Sequence, residues 1–390
     1  MKRYIYFDHA ATTPVAKEVF EAMRPYFQVK YGNPSSLHSF GLEAGKAVEK
    51  ARQQTADFLN CSLEEIVFTS GATESNNLAV RGLAHAFKGK GHIITSSIEH
   101  PAVLEPCQAL EKEGFKLTKL PVSARGIISL ARLKKEIRPD TFLISVMYVN
   151  NEIGTVQPIQ AIGRFIEEIN KSRKQKIYFH TDAVQAAAFY DCWPYKLKTD
   201  LLSLSGHKIY GPKGVGVLFV KKGVPLKPIQ FGGYQEKGLR PGTINPPLIV
   251  GLGKALALAG QKKKREAARV ARLSRKIIEN IKKNIPGVRL NGDENLRSPS
   301  HLNFSFQNIE GESLLLFLDQ AGVAVSTGSA CASHSLAPSP VLRALGLSDE
   351  KCHGSVRFSL GYENTEEEVN RFLKILPALV KKIRARSPLK

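Results

Sequence analysis

The chain has 390 residues, 43% hydrophobic and 23% charged, so it can bury a large core and has the composition of an ordinary globular protein. Its 56 basic and 35 acidic residues give a net charge of +21, which raises the hypothesis of a nucleic-acid-binding protein. It contains no apolar run of about 18 residues that would span a membrane, and the apolar part of its basic N-terminus is too short for a signal peptide, so we expect a cytoplasmic protein.

The five cysteines are widely spaced and include no Cys-x-x-Cys pair. They lie at positions 61, 107, 192, 331 and 352. Such a set predicts neither a disulfide framework nor a zinc site, so no metal is expected. Reduced thiols fit an intracellular protein.

Short apolar runs alternate with helical patterns in the first two thirds of the chain. Strands are predicted at 66–68, 93–95, 116–121, 142–149, 177–180, 201–204 and 215–220, and helices from 73 through 85, from 101, at 130–137 and at 158–171. This alternation predicts an α/β fold, in which a mostly parallel sheet is flanked by helices and carries its site along the carboxyl ends of the strands.

A long helix at 248–284 interrupts this alternation and leads to a second set of elements. Strands are predicted at 300–306, 324–327 and 356–360, helices at 312–320 and 340–345, and a capping box at 365–368 opens a final helix. We therefore expect a large domain over 15–260 and a small α+β domain formed by 1–14 and 261–390.

Much of the excess positive charge lies on the long helix, between residues 262 and 283. Apolar residues recur there every three or four positions, at Val270, Leu273, Ile277, Ile281 and Ile285, which predicts an amphipathic helix with a basic outer face. Aromatic residues of the kind that a single-strand binder uses are not interleaved with the charge. A solvated helix face is therefore favoured over a nucleic-acid site, and attraction for an acidic protein partner stays open.

Two residues at predicted strand ends suggest pyridoxal phosphate chemistry. Lys208 lies in a tight turn after a strand, where partial desolvation would make its amine nucleophilic. Asp182 follows the strand at 177–180, and a carboxylate there could hold a pyridine nitrogen protonated. The alternatives are a surface turn lysine and an aspartate that caps a helix at 183–188.

Other polar residues follow neighbouring strands of the predicted sheet. The turn at 70–73, including Ala72 and Thr73, suits a phosphate, with further contacts from Ser205 and His207. His100 could stack on a pyridine ring and move protons, while Asn151 and Gln185 could bind the substrate carboxylate and the cofactor's phenolic oxygen. Each of them could instead have a structural role.

Two further residues are candidates for handling the substrate. Cys331 lies in a stretch of small and polar residues that would not pack around it, which favours an exposed thiol nucleophile. Arg357 lies on a likely strand, where its guanidinium could bind a carboxylate through two hydrogen bonds or form a structural salt bridge.

The motifs together closely resemble those of the cysteine desulfurases of the class V aminotransferase family. They are DHAATTP at 8–14, GNPSS at 32–36, FTSGATESNN at 68–77, VNNEIG at 149–154, SGHK at 205–208, RPGT at 240–243 and GSAC at 328–331. The long stretch around Cys331 is similar to the branch that serves nitrogen fixation and iron–sulfur cluster assembly. The resemblance implies the fold-type I architecture, with a mostly parallel seven-stranded sheet and a smaller α+β domain.

The resemblance also implies roles for the candidate residues. Lys208 would be the Schiff-base lysine and later the base that removes the α-proton, with Asp182 on the pyridine nitrogen and His100 over the ring. Ala72, Thr73, Ser205 and His207 would lie near the phosphate, and Thr243 would reach it from the other subunit of a homodimer. Gln185 and Asn151 would contact cofactor or substrate, Arg357 would bind the substrate carboxylate, and Cys331 would accept the sulfur.

The resulting hypothesis is an enzyme that converts L-cysteine to L-alanine. It would pass sulfur from a persulfide on Cys331 to an acceptor such as an iron–sulfur scaffold protein. A selenocysteine lyase or an aminotransferase on the same fold is the nearest alternative. A basic nucleic-acid-binding protein is the alternative from another class.

Overall fold

The structure is a computed structural model that describes residues 4–87, 90–328 and 337–386. The prediction for Cys331 falls outside the described residues. None of the helices within these ranges combines the length and the apolar character that crossing a membrane requires.

After a two-residue strand, β1 (Ile5–Tyr6), the described chain builds a central sheet of seven strands. They are β2 (Ile66–Thr69), β3 (His92–Ser96), β4 (Lys116–Leu120), β5 (Thr141–Ser145), β6 (Tyr178–Asp182), β7 (Leu201–Ser205) and β8 (Gly216–Val220). Their order is β2-β8-β7-β6-β5-β3-β4, and all neighbours run parallel except the two that pair with β8. The predicted α/β fold with a mostly parallel seven-stranded sheet is confirmed.

Helices cover this sheet and explain why its inner strands are buried. They are α1 (Lys17–Met23), α2 (Pro25–Gln28), α3 (Ser39–Leu59), α4 (Ala72–Asn77), α5 (Pro101–Lys112), α6 (Leu130–Glu136), α7 (Ile159–Asn170) and α8 (Pro194–Leu197). Every residue of β5 and β7 is buried, as expected of parallel strands covered on both faces.

The elements near the carboxyl ends of the strands differ from the predictions in three places. The helix predicted through residue 85 is α4 followed by a π-helical turn, Leu78–Gly82. The strand predicted at 142–149 ends at Ser145, four residues earlier than expected. Val146 and Tyr148 still donate backbone hydrogen bonds to β6. Residues 184–189 form turns in place of the helix considered at 183–188, so Asp182 does not cap a helix there.

Most of the remaining elements assemble around a second apolar core. They are α9 (Pro246–Asn284), β9 (Val288–Leu290), β10 (His301–Phe306), α10 (Gly311–Gln320), β11 (Val323–Ala324), α11 (Pro340–Ala344), α12 (Asp349–His353), β12 (Ser355–Ser359) and α13 (Glu366–Arg384). Strands β12, β10 and β9 form an antiparallel sheet, and β11 pairs with β1 rather than spanning the predicted 324–327.

Helix α9 joins the two cores. Leu252 and Leu256 in its first half pack into the core around the central sheet, whereas Leu273 and Ile277 pack into the second core. Phe7 also belongs to the second core, so the chain's beginning packs against its end. The division of the chain at residues 14 and 260 stays a prediction.

Candidate active site

A cavity of about 500 Å³ lies at the carboxyl ends of the central strands, where the parallel topology brings their loops together. Ten of the predicted site residues line it: Ala72, Thr73, His100, Asn151, Asp182, Gln185, Ser205, His207, Lys208 and Arg357. Its size is typical of a site for a small molecule or cofactor.

Lys208 ends the short 3₁₀ turn Gly206–Lys208 that follows β7. Its Nζ donates to the backbone carbonyls of Ala10 at 2.5 Å and Ala11 at 2.7 Å. The segment that contains Ala10 and Ala11 therefore crosses the carboxyl end of β7 and fixes the position of the amine. Thr13 strengthens this crossing, because its N–H and hydroxyl both donate to the carbonyl of His207.

The Asp182 carboxylate, at the end of β6, is buried and held through both oxygens. Oδ1 accepts from the N–H of Val184 at 3.0 Å, and Oδ2 accepts from Nδ2 of Asn76 at 2.7 Å. Asn76 lies in α4 and is fully buried. These two bonds set the direction of the carboxylate toward the cavity.

His100 is the N-cap of α5, and its Nδ1 accepts from the N–H of Ala102 at 3.0 Å. A neutral ring bonded in this way carries its proton on Nε2. Burial lowers the pKa of His100, and the positive charge of Lys208 acts in the same direction, whereas Asp182 raises it. The imidazole is therefore favoured in its neutral form beside the cavity.

The turn between β2 and α4 brings backbone donors to the cavity wall. Gly71 has φ +154° and ψ 176°, a conformation that essentially only glycine adopts. The N–H groups of Ala72 and Thr73 follow in the first turn of α4, where a helix leaves its donors unpaired. Burial, together with Lys208 and Lys213, lowers the pKa of nearby His207 to about 4, so its ring stays neutral.

Arg357 lies on β12, which packs against the second core, and its guanidinium lines the cavity. Its side chain is 2% exposed, and it donates from Nη2 to Asp8 at 2.8 Å and from Nη1 to the carbonyl of Asn151 at 3.0 Å. Its Nε is buried and has no hydrogen-bond partner among the described residues. The guanidinium therefore retains donors for an anion. Gln185 donates to the carbonyl of Ala10 at 3.0 Å.

Among the predicted site residues that the structure describes, only Thr243 does not line this cavity. It lines an adjacent pocket with Arg240 and with Ser70, which also lines the cavity. Cys331 lies outside the described residues, so its assignment stays a prediction.

Asn76, which donates to Asp182, and Asp8, which accepts from Arg357, are site residues that were not predicted from the sequence. Both lie inside motifs that carried the resemblance, at 68–77 and 8–14. That position was the only available signal, because their partners lie 106 and 349 residues away along the chain.

Comparison with known proteins decides the family. Residues 5–372 match the family model described as aminotransferase class-V. The chain belongs to the class V aminotransferase family. It is 50% identical to the cysteine desulfurase IscS of Dictyoglomus turgidum, over 100% of this chain and 98% of that relative. It is 47% identical to the human cysteine desulfurase, over 99% of this chain and 84% of that protein. The predicted relationship is confirmed.

Solved structures of the family share this fold. A NifS-like protein superposes with a TM-score of 0.91 at 40% identity, over 97% of this chain and 100% of that one. A structure titled SspA in complex with cysteine has a TM-score of 0.81 at 42% identity, over 91% and 98% of the two chains.

Members of this family are pyridoxal phosphate enzymes, and the donor set in the cavity fits that cofactor. Backbone N–H groups at Ala72 and Thr73 suit a phosphate, and the Asp182 carboxylate suits a protonated pyridine nitrogen. Lys208 supplies the amine that such chemistry requires. The cavity is also large enough to hold a ring and a phosphate together.

Proposed function

We propose that this chain is a cysteine desulfurase that uses pyridoxal phosphate to convert L-cysteine to L-alanine. The observation that carries the proposal is the convergence of Lys208, Asp182 and Arg357 on one cavity. An amine, a carboxylate and a guanidinium provide cofactor attachment, electronic tuning and carboxylate binding. The full-length similarity to cysteine desulfurases supports the same reaction.

The cofactor would be held at both ends. Ala72, Thr73, Ser205 and His207 would bind its phosphate, and Gln185 would contact its phenolic oxygen. Asp182, held by Asn76, would bind the pyridine nitrogen, and the neutral ring of His100 would lie against the pyridine face. When bound, the cofactor supplies an electron sink for the charge that develops at the substrate Cα.

The chain's own residues would then position the substrate and move its protons. Arg357 would bind the α-carboxylate, because it lines the cavity, its bonds to Asn151 and Asp8 use two of its five N–H groups, and its fork suits a carboxylate. The Lys208 Nζ would take the proton from Cα. The carbonyls of Ala10 and Ala11 would stabilise the resulting ammonium, since both already accept from that nitrogen.

Cys331 would receive the sulfur. Its thiolate would form a bond to the substrate sulfur as the carbon–sulfur bond breaks, so that L-cysteine and the Cys331 thiol become L-alanine and a Cys331 persulfide. An iron–sulfur scaffold or another thiol-bearing protein would be the acceptor. The four cysteines among the described residues form no disulfide, which fits a reducing compartment such as the cytoplasm.

The proposal includes a homodimer and the two predicted domains. Large apolar side chains are exposed on the chain, and Leu37, Phe231 and Tyr234 are each more than 80% exposed. Burial of such groups favours association. In a dimer Thr243 would reach the phosphate of the other subunit, and sedimentation should give twice the 42.9 kDa chain mass.

The large domain would comprise 15–260, and 1–14 with 261–390 would form the small one.

The test is an assay of the reconstituted protein with L-cysteine and a thiol reductant, in which sulfide and alanine are both quantified. We expect equal amounts of the two products from the natural chain. Cys331→Ser should still bind cofactor and L-cysteine but release no sulfide. Pyruvate formed with a stoichiometric amino acceptor would indicate an aminotransferase. Activity confined to selenocysteine would indicate a selenocysteine lyase, and a protein that binds no cofactor but shifts nucleic acid in a salt-sensitive way would contradict the proposal.

A further inference from the structure

The two ends of the segment that carries Cys331 meet at one buried carboxylate. Glu152 Oε2 accepts from the hydroxyl of Ser339 at 2.6 Å, on the C-terminal side of the segment. A Cβ built on Gly328, on its N-terminal side, would lie 3.4 Å from the same oxygen and 3.8 Å from Cβ of Ser339. Residues 328 and 339 are therefore neighbours in space, and the Glu152 carboxyl group lies close to both.

Both ends are also fastened to other parts of the structure. Ser326 and Arg357 exchange two backbone hydrogen bonds, of 2.7 and 3.2 Å, so the N-terminal end is paired with β12. Ser339 is the N-cap of α11, and its hydroxyl accepts from the N–H of Leu342. Leu342 itself is packed in a small apolar cluster with Ile98, Met147 and Ile153.

Glu152 is held rigidly relative to the cavity. Asn150 is fully buried; its Oδ1 accepts from the N–H groups of Glu152 and Ile153, each at 2.9 Å, and its Nδ2 donates to the carbonyl of Ile98. Ile98 lies two residues before His100, and the neighbouring Asn151 accepts from Arg357. The carboxylate is therefore tied to the same loops that form the cavity wall.

Burial of Glu152 is costly for a group with no other role. The residue is 3% exposed, and this burial raises the pKa of its carboxyl, while the Ser339 hydroxyl and Arg357 act in the opposite direction. Glu152 does not line the cavity, so contact with cofactor or substrate does not explain its position.

We propose that Glu152 is a positioning residue that fixes the base of the Cys331 segment, because it accepts a hydrogen bond from Ser339 and lies against Gly328. The inference rests on the proposed function, since it assigns a role in delivering the thiol to the substrate. Cys331 follows Gly328 by three residues, which span roughly 11 Å at most when extended. A fixed base therefore limits where the thiol can reach.

The test separates thiol delivery from substrate binding. Reconstituted protein is mixed with L-cysteine; the change in cofactor absorbance reports binding, and mass spectrometry of quenched samples reports the Cys331 persulfide. For Glu152→Ala we expect the L-cysteine concentration that gives half of the maximal absorbance change to lie within about twofold of the value for the natural chain. Loss of this buried hydrogen bond and of correct placement should slow persulfide formation by about 10- to 100-fold.

Three further variants control for indirect effects. Glu152→Gln keeps an oxygen that can accept from Ser339 and should restore most of the rate. Ser339→Ala should slow persulfide formation as Glu152→Ala does, and combining the two should add little further loss. Ser348→Ala removes the equivalent N-cap of α12 without touching Glu152 and should leave the rate unchanged.

Two results would overturn the inference. One is persulfide formation at the natural rate in both Glu152→Ala and Ser339→Ala. The other is a parallel loss of L-cysteine binding, which would mean that Glu152 shapes the cavity rather than the segment's base. If the natural chain itself formed no persulfide, the proposed function would fail first, and the inference with it.

Discussion

A single amide, that of Asn76, sets the geometry of the Asp182 carboxylate. It is fully buried, donates to Asp182 at 2.7 Å, and its own Oδ1 has no hydrogen-bond partner among the described residues. A hydrogen bond to a charged acceptor contributes about 1.5–3 kcal/mol, more than a neutral pair does. Asn76 thus fixes the orientation in which Asp182 would meet a pyridine nitrogen.

Replacement of Asn76 by alanine should weaken cofactor binding. Without the amide, the Asp182 carboxylate loses one of its two fixed bonds, and we expect the Kd for pyridoxal phosphate to rise by about tenfold or more. Absorbance titration of the apoprotein measures this. Asn77→Ala is the matched control, because Asn77 donates to the Thr73 carbonyl in an exposed position. Equal affinities in the two variants would contradict the assigned role.

At the scale of elements, the turn between β2 and α4 depends on one backbone conformation. A Cβ on Gly71 would meet no atom within 4 Å, so only the positive φ of +154° opposes a side chain there. The turn also places the N–H groups that would bind the phosphate. A side chain that strained this turn would therefore displace the N–H groups that would bind the phosphate.

Gly71→Ala should destabilise the fold by roughly 1–3 kcal/mol and weaken the binding of pyridoxal phosphate. Gly260→Ala provides the contrast, because Gly260 lies within α9 and its added Cβ would make an ordinary 3.7 Å contact with Phe58. That change should be neutral or stabilising by roughly 0.5–1 kcal/mol. Urea unfolding and cofactor titration measure both effects. A Gly71→Ala protein with natural stability and affinity would refute the strain argument.

The elements that the sequence predicted well are those with a repeating signal. Most strands of the central sheet contain a short apolar run, and α9 and α13 show helical periodicity, with the predicted capping box of Thr365 and Glu368 present. Strands β1 and β11 have two residues each, too few for a period, and their pairing joins residues 5 and 323. Such a contact is decided by tertiary packing.

The same distinction applies to the site. Lys208, Asp182 and His100 were predictable because each follows a strand of a parallel sheet, and parallel strands place their carboxyl ends along one edge. The distant side chains that hold the site residues, Asn76 for Asp182 and Asp8 for Arg357, were not predictable. Asp8 reaches Arg357 only because the N-terminal segment packs beside β12, and local sequence carries no trace of that arrangement.

At the scale of the whole molecule, buried histidines should make stability depend on pH. Burial lowers the pKa of His180 and His301 to about 3 and that of His92 and His207 to about 4. In the unfolded chain these groups titrate near 6.5, so between about pH 4 and 6.5 the unfolded state binds more of their protons. Acidification through this range therefore favours unfolding.

Two buried acids act in the opposite direction. Burial raises the pKa of Glu99 to about 8 and also raises that of Glu152, so the folded state binds their protons more tightly than the unfolded state does. The four histidines outweigh the two acids, so over this pH range the unfolded chain binds more protons than the folded chain does. Each such proton lowers the free energy of unfolding by about 1.4 kcal/mol per unit decrease in pH. The urea midpoint of the apoprotein should therefore be lower at about pH 5 than at about pH 7. An equal or higher midpoint at the acidic pH would contradict this prediction.

The central claim is that the cavity holds pyridoxal phosphate through Lys208, and mass spectrometry of the borohydride-reduced protein tests it most directly. The apoprotein is reconstituted with pyridoxal phosphate, reduced and digested, and the modified lysine is located by fragmentation. We predict a pyridoxyl adduct at Lys208 and none at Lys213, which also lines the cavity. An adduct on another lysine, or no adduct at Lys208 after reconstitution, would contradict the account.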